Sequence, residues 1–435
     1  MCEIDEIIGG KSQLLSRLIG AAREGHLCIK GGEEDCDVKL LEGEEPWFEE
    51  RAGRWNNLYY LQRNWVIENE VVREFKRLLQ EDVRPIKIEK IGGVNEEQCM
   101  AVKIGLSKGV VCLAGGAGTG KSYTIQKIVE HFTGKVCVCA PTGKAAALLQ
   151  EKLDMEVRTL HKTLGVKNGK DLLFGRGEIH CDMVIVDECS MIDACMWARL
   201  LRGVKRGTRL ILVGDYNQLP PIEVGAVFKE LCDYMKEYKQ GYVYLNQSMR
   251  SDRREVLVLA EKIRRGEMVA YQRLEKGIEK FWERGYQLLS CVKRGPYGVE
   301  MMNRLCEGGD EQPIIITRTN HRMGINNGEV GIIRGGEIII GNRSFREALI
   351  PEYEKGYCLS VHKSQGSEFE KVALLVPKGS ERFGREILYT GITRAKDKVV
   401  VFSEQEVMES CIQCSSKKMS GIRMKLRATK VSNDC

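Results

Sequence analysis

The sequence predicts an α/β protein built from two doubly wound parallel-sheet units. A small, mostly helical N-terminal region precedes them, and a small β-barrel-like insert interrupts the second. Three observations carry this expectation. From Val110 onward, short apolar runs alternate with stretches of helical periodicity, the pattern of buried parallel strands joined by crossover helices. A second series of such runs follows residue 239. Between its members lies a Gly-rich segment, 328–351, that reads as short β pieces.

Taken in order, residues 11–29 read as an amphipathic helix followed by a short strand. An acidic, Gly-containing stretch from Gly31 to Glu50 reads as a loop. Asn64 to Leu79 reads as a second helix, with Val66, Ile67, Val71, Phe75 and Leu78 at helical spacing. Asp82 to Gly93 is a boundary rich in charge. Val110–Ala114, Val136–Ala140, Met183–Val186 and Leu210–Val213 are the expected strands of the first unit. Val243–Leu245, Pro313–Thr317, Cys358–Val361, Val372–Val376 and Val399–Phe402 are those of the second. The resulting map is an N-terminal partner-docking domain at 1–92, a first unit at 93–238 with a short hairpin at 166–180, a second unit at 239–404, and a tail at 405–435. Six basic residues and no acidic ones between Lys417 and Lys430 suggest a loosely ordered tail.

The bulk numbers exclude some classes. A chain of 435 residues with 43% hydrophobic content supports several cores. No apolar run is long enough to span a bilayer, and the acidic N-terminus is unlike a signal sequence. Seventeen cysteines, odd in number and scattered, suit reduced thiols in a cytoplasmic protein. The net charge of +6 hides an asymmetry, with −5 before residue 96 and +11 after it. The basic part suits a polyanionic partner.

The chemistry concentrates in a few motifs. Gly115-Gly116-Ala117-Gly118-Thr119-Gly120-Lys121-Ser122 follows an apolar strand and opens a helix, the context that a P-loop requires. Its backbone N–H groups would wrap the phosphates of ATP, with Lys121 reaching the terminal ones and Ser122 on Mg²⁺. Asp187-Glu188 ends an apolar strand, so Asp187 would hold the magnesium shell and Glu188 would orient and deprotonate water. Gln98 carries an amide suited to adenine. Gln218 follows the fourth strand and is placed to sense the γ-phosphate. Arg250 and Arg394 are candidate arginine fingers from the second unit. Cys411 and Cys414 form half of a metal motif with no clear second half, and free thiols explain them better.

Further segments carry a resemblance. Leu58-Tyr-Tyr-Leu-Gln-Arg-Asn-Trp65, Ala140-Pro-Thr-Gly-Lys-Ala-Ala-Ala147, Arg294-Gly-Pro-Tyr-Gly-Val and Asn327-Gly-Glu-Val-Gly-Ile join the pair Val361-His-Lys-Ser-Gln-Gly-Ser-Glu368 and Tyr389-Thr-Gly-Ile-Thr-Arg-Ala395. Together they resemble superfamily-one helicases, and more closely the RecD (alpha) subunits of exodeoxyribonuclease V, from about Trp55 to Phe402. The resemblance implies two RecA-like motor domains and an ATP-dependent 5′→3′ helicase acting on single-stranded DNA and duplex ends in break repair and recombination. It also implies RecB and RecC partners, with any DNA-cutting site on another subunit. Pro141, Thr142, Lys144, His161, His362, Lys363 and Ser364 fall at family DNA-contact or coupling positions, and Gln365 and Glu368 at positions linking the ATP and DNA surfaces. His161 and His362 also suit core or loop histidines. Where relatives carry an aromatic beside Arg250, this chain has Met249. A stand-alone helicase, and an assembly subunit with a regulatory ATP site, are the alternatives.

Overall fold

The computed structural model describes residues 13–30, 58–88, 91–166, 177–247, 254–308, 311–320, 323–350, 352–416 and 418–428. Arg250, Met249, the acidic stretch 31–50 and most of the expected hairpin 166–180 lie outside these residues.

The described chain opens with α1 (Gln13–Arg23), then β1 (Cys28–Lys30) and β2 (Leu58–Tyr60), which pair antiparallel, and α2 (Gln62–Leu79). On α2, Ile67, Val71, Phe75 and Leu78 form the buried stripe that periodicity predicts, whereas Val66 lies off it and is exposed. That stripe joins Trp197, Phe228, Ile422 and Leu426 in one apolar cluster. The described part of residues 1–92 is therefore a layer on the first unit rather than a domain with a core of its own.

The first unit comprises α3 (Glu96–Ser107), β3 (Val110–Gly115), α4 (Lys121–Glu130), β4 (Val136–Ala140), α5 (Gly143–Leu153), β5 (Val157–Thr159), α6 (Leu160–Thr163), β6 (Met183–Val186), α7 (Ala194–Gly203), β7 (Arg209–Gly214), α8 (Val227–Glu237) and β8 (Tyr242–Leu245). Its strands make a six-stranded parallel sheet in the order β5-β4-β6-β7-β3-β8. Every residue of β3, β6 and β7 is buried, as expected for a sheet covered on both faces. The expected boundary at residue 239 is corrected here. Tyr242–Leu245 pairs with β3, so the first unit runs through Leu245.

The second unit follows as α9 (Arg254–Arg265), β9 (Gln287–Ser290), α10 (Val299–Leu305), β10 (Glu311–Ile316), β11 (Val330–Arg334), β12 (Glu337–Ile340), β13 (Arg343–Arg346), β14 (Tyr353–Lys355), β15 (Cys358–Ser360), β16 (Phe369–Val376), α11 (Gly384–Ile392) and β17 (Ala395–Ser403). Its parallel sheet has the order β15-β9-β16-β17. Pro313–Thr317 was expected there, but β10 instead joins an antiparallel sheet ordered β13-β12-β11-β10-β14, whose order has two edges rather than a closed ring. An apolar run marks burial, not strand direction, so the periodicity could not separate the two sheets. The parallel strand β9 escaped notice because polar residues flank its two leucines. Gln287 is buried with its amide donating to the Gly356 and Tyr357 carbonyls at 3.0 Å, and Ser290 donates to the Tyr297 carbonyl at 2.9 Å.

The tail is another correction. α12 (Gln405–Gln413) buries Val407, Met408, Cys411 and Ile412 in the second unit, and α13 (Ile422–Ala428) returns to the first. Its described basic residues, Lys418, Arg423, Lys425 and Arg427, each meet a protein partner. Lys425 lies 3.0 Å from the fully buried Glu68, 2.7 Å from the Asn69 amide oxygen and 3.5 Å from the centre of the Trp65 ring. Among the described residues no helix is long and apolar enough to cross a membrane.

Candidate nucleotide and nucleic-acid site

The site begins at the carboxyl ends of three neighbouring strands, where open parallel sheets place their ligands. After β3 the chain turns through Gly118 (φ +76°) and Gly120 (φ +83°) into α4. Those left-handed conformations suit glycine and let successive N–H groups converge. Lys121 opens the helix, and its ammonium donates to the Gly115 and Gly116 carbonyls at 2.9 and 2.8 Å. After β6 come Asp187 and Glu188. Glu188 sits at φ +53°, a left-handed conformation that strains a side-chain-bearing residue. Its N–H donates to the Asp187 carboxylate at 2.8 Å. Burial pushes both carboxyls up. Lys121 opposes this in each, and the Asp187 charge adds to it in Glu188.

After β7, Asp215 and Gln218 are both buried. Gln218 donates its amide to the Asp215 carboxylate at 3.4 Å, while its own carbonyl oxygen is buried and unpartnered among the described residues.

A cavity of about 860 Å³ gathers these groups. Ala117 through Tyr123, Lys152, Asp187, Glu188 and Gln218 line it from the first unit, and Gly366, Glu368, Arg394 and Lys396 from the second. Arg394 is 5% exposed. Its guanidinium donates to the Thr390 and Ser367 carbonyls, both at 3.1 Å, and to the Thr393 hydroxyl at 3.4 Å. Its charge reaches Glu188 and favours the ionised carboxylate. One cavity thus holds a P-loop, the paired carboxyls of Asp187 and Glu188, and a fixed guanidinium from the opposite wall. The hydroxyl of Ser122 and the carboxylate of Asp187 are hard oxygen donors on that same cavity. Such a sparse set suits Mg²⁺, which keeps waters and phosphate oxygens as its other ligands.

Gln98 departs from expectation. It is fully buried, closes a reciprocal cap with Asn95 at the start of α3, and donates to the Thr119 carbonyl at 3.3 Å. Both ends of its amide serve protein groups, so it props the P-loop instead of facing adenine. Its position three residues after Asn95 is a capping-box spacing visible in the sequence.

The residues expected at DNA divide. His161 and Lys363 are exposed, the latter paired with Glu354 at 2.7 Å, and Pro141 is half-buried. Thr142 caps α5, accepting from the Ala145 N–H at 3.2 Å. Lys144 crosses to the second unit, donating to the Gly328 carbonyl at 3.0 Å and to the Ser367 hydroxyl. Burial pulls it down to about 8, with Glu329 opposing and Arg394 assisting. His362 sets its ring edge-on to Phe383 at 5.0 Å, and burial, then Arg382 and Lys418, hold it down to about 4. Ser364 is fully buried and donates to the Val361 carbonyl at 2.8 Å, so its hydroxyl serves the fold and not a ligand. Gln365 donates to the Leu219 carbonyl of the first unit at 3.4 Å.

Comparisons with known proteins agree with this geometry. Residues 93–280 match a family model described as an AAA domain, and residues 355–402 one described as a UvrD-like helicase C-terminal domain. The RecBCD enzyme subunit RecD of Mycolicibacterium smegmatis is 29% identical across 86% of this chain and 83% of its own length. That of Haemophilus influenzae is 26% identical across 83% and 79%. These matches support an ATP-dependent superfamily-one DNA helicase of the RecD type. An ATP-dependent RecD2 DNA helicase of Deinococcus radiodurans is 28% identical over 70% of this chain but only 48% of its own length. Among solved structures, a Pif1 helicase of Candida albicans aligns with a TM-score of 0.50 at 18% identity, over 78% of this chain and 100% of that one. A structure of Pif1 helicases unwinding forked duplex DNA gives 0.51 at 18% identity, over 78% and 98%. At that identity the likeness speaks to the fold, two RecA-like motor units.

As a RecD-type, ATP-dependent DNA helicase, the chain has its nucleotide cavity at the seam of its motors. The sequence reading assigned no role to Asp215, Lys152 or Tyr389. Asp215 follows the last residue of β7 just as Asp187 follows that of β6, a positional signal that was available.

Proposed function

We propose that this RecD-type helicase translocates 5′→3′ along single-stranded DNA, drawing its motor units together on ATP and releasing them on hydrolysis. The observation that carries this reading is the cavity walled by both motors, with Arg394 buried in the wall opposite Lys121 and Glu188. In this reading Lys121 and the 115–120 backbone hold the phosphates, while Ser122 and Asp187 hold Mg²⁺. Glu188 takes the proton of the attacking water, Gln218 senses the terminal phosphate, and Arg394, with Arg250, neutralises the charge developing on the transferring group. Pro141, Thr142, His161, His362 and Lys363 line the DNA path, where contacts to the phosphate backbone carry no sequence preference. Gln365 and Glu368 connect that path to the cavity.

The chain works in the cytoplasm beside RecB- and RecC-like subunits on duplex DNA ends. Support for the subunit reading comes from the RecBCD enzyme subunits RecD, which are 26–29% identical over 83–86% of this chain, against 70% for the RecD2 helicase. The test is an unwinding assay on duplexes bearing either a 5′ or a 3′ tail, with and without the candidate partners. Unwinding that needs a 5′ tail supports the reading, and a strict 3′-tail requirement reverses the direction.

A further inference from the structure

The loop after β7 does more than line the cavity. Leu219, from the first motor, is 1% exposed and belongs to the apolar core of the second, alongside Ile387, Leu388 and Tyr389. Its N–H donates to the Thr390 hydroxyl at 2.8 Å and its carbonyl accepts from Gln365. The loop is a plug seated in the partner lobe. Beside it, Tyr389 reaches the other way. Its buried hydroxyl donates to the Asp215 carboxylate at 2.8 Å, and a Cβ on P-loop Gly116 would stand 3.2 Å from that hydroxyl. Asp215 also accepts from the Asn217 N–H at 3.0 Å and from the Gln218 amide at 3.4 Å.

We infer that Tyr389 is a positioning residue of the motor, a hydroxyl that transmits the state of the P-loop to Gln218 through Asp215. The proposal rests on the helicase reading above and deepens it. One hydroxyl from the second motor lies beside the phosphate-binding loop on one side, close enough that a Cβ on Gly116 would press on it. On the other it touches the carboxylate that orients the Gln218 amide. Any shift of Gly116 toward or away from the second motor therefore moves the donor on Asp215. Asp215 in turn sets the direction of an amide whose carbonyl oxygen is buried without a partner among the described residues. A buried O–H donating to a carboxylate is among the stronger hydrogen bonds and resists replacement by water. Burial, with the Asp215 charge, keeps the phenol protonated and so a donor throughout the working pH range. The plug at Leu219 holds the geometry while the lobes move.

The experiment measures ATP hydrolysed per base pair opened by the full-length chain, on a tailed duplex, for wild type, Tyr389→Phe, Asp215→Asn and the double variant. Tyr389→Phe keeps the ring in its core and removes only the hydroxyl. We expect ATP consumed per base pair to rise by about tenfold to a hundredfold in each single variant, the range of a lost hydrogen bond to a charged group. The double variant should be no worse than the worse single one, because both act through one bond. A Tyr389→Phe enzyme with the wild-type ratio overturns the inference, as does a double variant showing the product of the two single effects. Should Tyr389→Phe lower the melting temperature markedly, the Asp215→Asn ratio decides alone, and an unchanged value overturns the inference. Wild type lacking DNA-stimulated ATPase would instead remove the helicase reading itself.

Discussion

Replacing Arg394 tests the two-walled cavity at its most exposed assumption. A guanidinium has five N–H donors in a rigid fork. Here three are spent on the Thr390 and Ser367 carbonyls and the Thr393 hydroxyl. That leaves two for the cavity that Arg394 lines. Arg394→Lys keeps the charge but cannot hold this fork, so the ammonium should not reproduce the aim. Arg394→Ala also leaves the carbonyls at Thr390 and Ser367 without their donor, at about 1–3 kcal/mol each if no water replaces it. An arginine finger is worth on the order of 10³–10⁵ in turnover, so a loss of about 10³ in kcat, or roughly 4 kcal/mol, is expected for Arg394→Ala. The Lys variant should fall between it and wild type. A second signature separates electrostatics from misfolding. Arg394 helps keep Glu188 ionised, so its loss should move the acid limb of the pH–kcat profile to higher pH. The assay is steady-state ATPase with saturating single-stranded DNA between pH 5 and 9. Turnover retained within tenfold in Arg394→Ala, with an unmoved acid limb, would refute the reasoning.

Other consequences are equally direct. Glu188→Gln should bind ATP and DNA yet lose about 10²–10⁴ in kcat, as expected for a general base, measured by nucleotide-binding titration alongside ATPase. Lys425→Ala should destabilise the chain by about 3–5 kcal/mol in urea unfolding because it strands the buried Glu68 carboxylate. The double variant Glu68→Gln/Lys425→Met should recover most of that loss. His362 is held down to about 4, so the unfolded chain takes up a proton below about 6.5 that the folded chain refuses. Stability should therefore fall as pH drops from about 6.5 toward 4, by up to about 3 kcal/mol, and His362→Gln should flatten that part of the melting curve.

The legible parts of this protein were those whose chemistry is local. The P-loop and the carboxylates after β6 follow strand ends, so backbone direction alone places them at the carboxyl edge of the first sheet. The arginine of the last motif immediately precedes β17, at the amino edge of the second sheet, and its own local motif made it legible. What stayed hidden depends on pairs distant in sequence. Ser364 was placed at DNA by the family resemblance, yet its hydroxyl is taken by the Val361 carbonyl three residues away. Lys144 looked like a phosphate contact, but its partners Gly328 and Ser367 lie on the other motor. Lys425 looked solvated because Glu68, its counter-charge, is more than three hundred residues earlier. Gln98 was the avoidable miss, since its capping partner Asn95 is local. Tyr242–Leu245 was assigned to the wrong unit because an apolar strand looks the same on either side of a domain boundary, and only its pairing with β3 tells the two apart.

The most direct measurement is a crystal structure of the chain with ADP–aluminium fluoride and single-stranded DNA. The account predicts that the Lys121 ammonium and the Arg394 guanidinium both lie within hydrogen-bonding distance of the fluoride group, with Glu188 facing its attacking water. A structure in which nucleotide contacts the first motor alone, with Arg394 turned away from it, would contradict the account.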